Sequence, residues 1–184
     1  MTKESISLYG QFTEDGECFE LKAEPPRRWM NAHSNEIGDI ELFSNVTHVG
    51  DGLTKFRTPN GAEVAVCGWE SKYLYMRDDE SHLLFNPAGA PVPTPIEGAV
   101  TRFRAASTEF SGRCDGLEFT QRIFVPKAHP IEIWTVHVTN LSERRRSLSL
   151  FGYIKVGMDN ALVDVAPELQ GLWIHRHEPF GPDR

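Results

Sequence analysis

At 184 residues, with 40% hydrophobic and 24% charged residues and no low-complexity block, the chain is sized for one folded domain with a sizeable core. A formal net charge of −7 without a basic stripe excludes a nucleic-acid surface. The N-terminal MTKESISLYG lacks an apolar signal core, no window reaches membrane-span length, and three scattered cysteines fit reduced thiols; a cytoplasmic protein is expected.

Taken in chain order, the sequence predicts short strands and almost no helix. No stretch of twelve or more residues carries apolar positions three and four apart. SISLYGQF and ECFELKA flank EDGE at 14–17, a hairpin-type turn in which Gly16 supplies a positive φ. RRWMNAHSNEIGDIELFSN, residues 27–45, is read as a loop feeding the strand DIELFSNVTHV. LTKFRT and AEVAVCGW surround PNGA at 59–62, a second tight turn. KYLYMRD and HLLF follow, and then NPAGAPVPTPIEG at 86–98, whose four prolines keep it out of any sheet; it is read as an extended crossover between sheets, with a lid-like loop as the alternative.

AVTRFRA precedes LEFTQRIFV, in which Leu117, Phe119, Gln121, Ile123 and Val125 share one face when extended. In IEIWTVHVTN, Trp134, Val136 and Val138 oppose Ile133, Thr135 and His137, and Trp134 is expected in the core. NLSERR is read as the loop of a hairpin joining this strand to RSLSLFGYIKV, with Arg144 to Arg146 at a solvated tip. The region 117–156 is expected to be the best-packed part, and LWIHRH a last strand. About a dozen strands with frequent turn signals predict an all-β fold, a two-layer antiparallel β-sandwich. The range 1–184 is read as one sandwich domain, expected to be incomplete at its C-terminal end.

The candidate chemistry is sparse. Asp78, Asp79 and Glu80 form the densest acidic group and are read as solvated or paired with Arg77. His175 and His177 share a strand face but lack a third ligand, so no metal is expected. Asn31, His33 and Asn35 match sugar hydroxyls as donors and acceptors, and equally fit a loop whose asparagines bond their own backbone. Trp29, after Arg27 and Arg28, suits a half-exposed platform for a pyranose ring. Trp69 is undecided. There is no Gly-x-Ser-x-Gly elbow and no phosphate-binding glycine loop.

The order of these motifs resembles the N-terminal domain of the inverting glycoside phosphorylases of glycoside hydrolase family 94, formerly glycosyltransferase family 36. The resemblance runs from about Tyr9 to about Met158. It rests on YGQFTEDGECFEL, RRWMNAHSNEIGDIELFSN, LTKFR with KYLYMRDDES, and LEFTQRIFVPKAHPIEIWTVHVTNLSERRRSLSLFGYIKVG. The sequence departs from the family at VTHVGDG and LLFNPAG.

The resemblance implies a super-sandwich of galactose-mutarotase-like type. In the family it accompanies a helical barrel carrying the catalytic Asp, with inorganic phosphate as co-substrate and no cofactor. It further implies a homodimer and sandwich loops bordering a di- or oligosaccharide entrance. The chain is then a non-catalytic module, with Arg28, Trp29, Asn31, His33 and Asn35 as candidate saccharide-binding residues. The alternative is a free-standing cytosolic carbohydrate-binding protein.

Overall fold

The computed structural model describes residues 7–156, and every regular element named here lies within them. LWIHRH, Trp173, His175 and His177 lie outside the described residues. Thirteen strands follow in order: β1 (Gly10–Phe12), β2 (Cys18–Leu21), β3 (Met30–Ile37), β4 (Ile40–Thr47), β5 (Thr54–Arg57), β6 (Glu63–Cys67) and β7 (Lys72–Asp78). After these come β8 (Leu84–Phe85), β9 (Glu97–Arg104), β10 (Ser107–Cys114), β11 (Leu117–Phe124), β12 (Ile133–Asn140) and β13 (Leu148–Ile154). The all-β expectation holds, and every strand pairing is antiparallel.

One layer is a six-stranded sheet in the order β1-β2-β9-β10-β11-β12. Facing it are a four-stranded sheet, β3-β4-β5-β6, and a three-stranded sheet, β13-β7-β8. The alternation read for 117–125 sets the core: Leu117, Phe119 and Ile123 are all at most 1% exposed. Phe119 meets Phe85 of the three-stranded sheet, ring centroids 5.5 Å apart, beside Met76 and Cys114. Ile123 and Phe110 meet Val46 of the four-stranded sheet, with Trp134 packed at the margin. Burying each such side chain contributes roughly 1.5–3 kcal/mol. All three cysteines are buried and free, and burial pushes each thiol up.

Both tight turns form, with Gly16 at φ 72° and Gly61 at φ 79°. The proline-rich stretch carries the chain from β8 to β9, that is, from one layer to the other, as its composition predicts. Three readings are corrected. Met30–Ile37 is not a loop but the strand β3, hairpin-paired with β4 from Met30↔Thr47 to Ile37↔Ile40. NLSERR is not a hairpin loop: β12 pairs with β11 and β13 with β7, so it arches between layers. The region 117–156 is central only in β11, since β12 and β13 are both sheet edges.

Candidate functional site

β3 explains why its sequence hides it. Alternate positions of a strand share a face, and here the face turned to the opposite layer carries Asn31, His33 and Asn35 in place of apolar residues. Asn31 Nδ2 donates to the carbonyls of Arg104, at 2.7 Å, and Ser107, at 3.3 Å. Asn35 Nδ2 donates to the carbonyls of Pro126 and His129, each at 2.6 Å. Between them His33, 3% exposed, receives Asn31 Nδ2 at 3.1 Å and Thr108 Oγ1 at 3.3 Å on Nε2. The other ring nitrogen, Nδ1, is buried with no hydrogen-bond partner. The three side chains bind the four-stranded sheet to the six-stranded one, and the amide donors expected to meet sugar hydroxyls are spent on backbone carbonyls.

Burial and the neighbouring Lys72 charge hold the His33 imidazole down at about 4, against an ordinary 6.5, with Glu132 opposing only in part. Above pH 6.5 the ring is neutral folded and unfolded and contributes no pH dependence. As pH falls from 6.5 toward 4 the unfolded chain takes up a proton that the folded chain refuses, so stability falls. The full difference is worth about 3 kcal/mol. Urea midpoints measured from pH 7 to pH 4 are expected to fall through this window in the native chain, with a shallower decline in His33→Gln.

The first residues of the candidate set sit at the entrance to β3. Trp29 is half-buried against Tyr9 and Phe19, at centroid distances of 5.8 and 5.7 Å. Its amide donates to His48 Nδ1 at 3.2 Å and its carbonyl receives the His48 amide at 2.9 Å. Arg28 bridges two acids, Asp51 Oδ2 at 3.0 Å and Glu70 Oε1 at 2.5 Å. Asp51 is fully buried, takes the Thr47 hydroxyl on its other oxygen and lies 3.5 Å from the Tyr73 hydroxyl. Burial and the Asp51 charge push the Tyr73 phenol up to about 12. The structure therefore separates the five predicted residues into an edge pair, Arg28 and Trp29, and an inter-layer row, Asn31, His33 and Asn35.

Sequence reasoning missed a fully buried cation. Lys72 on β7 is 1% exposed and its Nζ lies 2.7 Å from Glu132 Oε2, 3.1 Å from Ser44 Oγ and 3.1 Å from Thr54 Oγ1. Ser44 also donates to Glu132 Oε2, and Trp134 Nε1 donates to Oε1 at 2.6 Å. Burial alone would raise the Glu132 carboxyl, but the Lys72 charge and these donors outweigh it and leave the group below its ordinary value. Lys72 belongs to the three-stranded sheet, Ser44 and Thr54 to the four-stranded one, and Glu132 precedes the edge strand of the six-stranded one. One ion pair thus ties all three sheets together.

A second buried pair corrects the reading of the arginine run. The Arg146 side chain is 3% exposed; its Nε and Nη2 each lie 2.5 Å from Asp78 Oδ2, and Nη1 donates to the Asp115 carbonyl at 2.7 Å. Asp78 also accepts the amides of Glu80 and Ser81, and with Arg146 these donors bring its carboxyl to about 2. Asp79 does pair with Arg77, at 2.8 Å, as expected. Among the described residues no cluster of three His, Cys, Asp or Glu side chains could hold a metal ion, and no helix is long and apolar enough to cross a membrane.

Comparison with known proteins gives these features a setting. Residues 19–172 match the family model described as glycosyl hydrolase 94, supersandwich domain. The chain is 27% identical over 160 residues to a solabiose phosphorylase from Paenibacillus borealis, covering 82% of this chain and 20% of that protein. It is 25% identical over 165 residues to an N,N'-diacetylchitobiose phosphorylase from Vibrio furnissii, covering 85% and 20%. A 3-O-beta-D-glucopyranosyl-beta-D-glucuronide phosphorylase from Paenibacillus borealis is 29% identical over 145 residues, 78% of this chain and 18% of that protein. The chain thus spans about a fifth of the length of these curated relatives.

Proposed function

The chain belongs to the glycosyl hydrolase 94 supersandwich family, and from that premise we propose that it is the non-catalytic N-terminal β-sandwich module of a disaccharide phosphorylase. The relatives' names supply the reaction class, transfer of a glycosyl group to phosphate, with inorganic phosphate as co-substrate. The non-catalytic assignment is supported by the state of the buried carboxylates. A phosphorylase of this class needs an acid that is protonated before it reaches the glycosidic oxygen, which calls for a raised pKa. Glu132 and Asp78 are held below their ordinary values, and Asp51 is engaged by Arg28 and Thr47. All three acids stabilise the fold, and Glu132 and Asp78 are poor proton donors.

In this reading the module supports a separate catalytic domain, contributes to a homodimer and borders the saccharide entrance. Arg28 and Trp29 are its candidate saccharide contacts, because they lie at a sheet entrance and retain exposure. Asn31, His33 and Asn35 serve it as inter-layer ties. The 184-residue chain is expected to release no sugar 1-phosphate from β-linked disaccharides, whereas the product of the complete gene is expected to release it. Release by the 184-residue chain alone would refute the non-catalytic assignment. Calorimetric titration addresses the second reading, a free-standing carbohydrate-binding protein, which the half-exposed Trp29 favours: disaccharide binding by this chain that disappears in Trp29→Ala would select it.

A further inference from the structure

The three-stranded sheet has two faces of different chemistry. Alternation along β7 and β13 sorts their residues between the core and the outside. Leu74, Met76, Leu148, Leu150 and Ile154 turn inward. Tyr73, Tyr75 and Arg77 turn outward, in register with Tyr153, Phe151 and Ser149. Of the sheet's outward strand residues only Leu84, on β8, is aliphatic. Solvation does not call for four aromatic rings on such a face, and Phe151 and Tyr153 are 44% and 45% exposed.

The rings form one surface. Tyr73 and Tyr153 lie nearly parallel, at 24° with centroids 6.4 Å apart, and Tyr75 is 6.2 Å from Tyr73. The Arg77 guanidinium sits over the Phe151 ring at 5.2 Å. Hydrogen-bonding groups are fixed at both ends. At one, Asp79 accepts Arg77 Nε and Ser149 Oγ, each at 2.9 Å. At the other, the Tyr73 hydroxyl lies 3.5 Å from Asp51, which Arg28 joins to the exposed Glu70. Tyr73 and Arg77 are about 13 Å apart along β7, room for linked pyranose rings.

We propose that this outer face binds an oligosaccharide of pyranose rings with equatorial hydroxyls. Such a ring presents axial C–H bonds on both sides, which pack flat on Phe151 and Tyr153. Its rim hydroxyls meet the charged groups at the two ends as donors and acceptors. The inference rests on reading the chain as a carbohydrate-associated module, and it extends the saccharide contacts from Arg28 along the adjoining sheet face. A second copy is the poorer occupant. A net charge of −7 on each chain opposes close approach, whereas a neutral saccharide meets no such field.

Hydroxyl-radical footprinting of the product of the complete gene tests this, with cellotetraose as the probe. Sorbitol at matched hydroxyl concentration corrects for radical scavenging, because it has no ring face. Cellotetraose is expected to protect Phe151 and Tyr153 from labelling well beyond the sorbitol control. In Tyr153→Ala, protection of Phe151 is expected to need about tenfold more cellotetraose, while Tyr153→Phe, which keeps the ring, matches the native protein. Phe151→Leu, read at Tyr153, is expected to show the same weakening and keeps an apolar side chain for the fold. Unchanged labelling with cellotetraose in a product that carries out phosphorolysis overturns the inference and leaves the proposed function standing. Rings that resist labelling without any saccharide are covered by protein, which also overturns it, as does native-like protection in both Tyr153→Ala and Phe151→Leu. Protection by cellotetraose in a product without phosphorolysis would keep the inference and remove the enzyme reading.

Discussion

Lys72→Ala is expected to cost about 3–5 kcal/mol. The magnitude follows from what remains behind. Glu132, 11% exposed, would keep its carboxylate among Ser44, Thr54 and Trp134 with no cation to offset its desolvation. For a domain of this size the fall in melting temperature is roughly 6–20 °C. Because the pair joins three sheets, the loss should be cooperative, with intrinsic fluorescence and far-UV circular dichroism reporting one transition. Replacing both partners, Lys72→Met with Glu132→Leu, should recover at least half of the loss, since no unpaired charge is then buried. A single-variant loss under about 1 kcal/mol would show that water reaches the pair and that the junction contributes little.

The second large effect is expected at Gly52. A Cβ there would lie 1.9 Å from the Asn45 carbonyl oxygen and 2.7 Å from its carbon, both backbone atoms that cannot turn aside. Gly52→Ala is expected to destabilise by roughly 2–4 kcal/mol, measured by chemical denaturation. The consequence reaches the β3 entrance, because Gly52 follows Asp51, which accepts Thr47 and holds Arg28. Gly61→Ala is the matched control. Its Cβ would meet nothing within 4 Å, so only the positive φ of 79° is strained, at about 1 kcal/mol. Equal losses in the two variants would rule out the close approach of the 45–53 backbone as the cause.

How far the sequence could be read depended on which residues did the packing. Leu117, Phe119 and Ile123 alternate in an apolar run, and the layer they line formed as the pattern requires. Gly16 and Gly61 fixed two turns, and the four prolines fixed a crossover, because each limits the backbone locally. β3 was missed because its inward face is Asn-His-Asn. Strand propensity and apolar alternation both fail there, and partners 73 to 94 residues away satisfy it instead. The same cause hid the arch after β12: Arg144 to Arg146 look like a solvated tip until Asp78, 68 residues earlier, is brought against Arg146.

The sequence by itself determined the fold class, most strand positions, the turns and the family, since these depend on local backbone limits, period-two patterning and motif order. Only the tertiary structure decided which charges lie inside. Lys72 and Glu132 are 60 residues apart, and each is an ordinary surface residue by type. Burial becomes tolerable only when three sheets deliver the opposite charge and its hydrogen-bond partners to one point, an arrangement no local window contains.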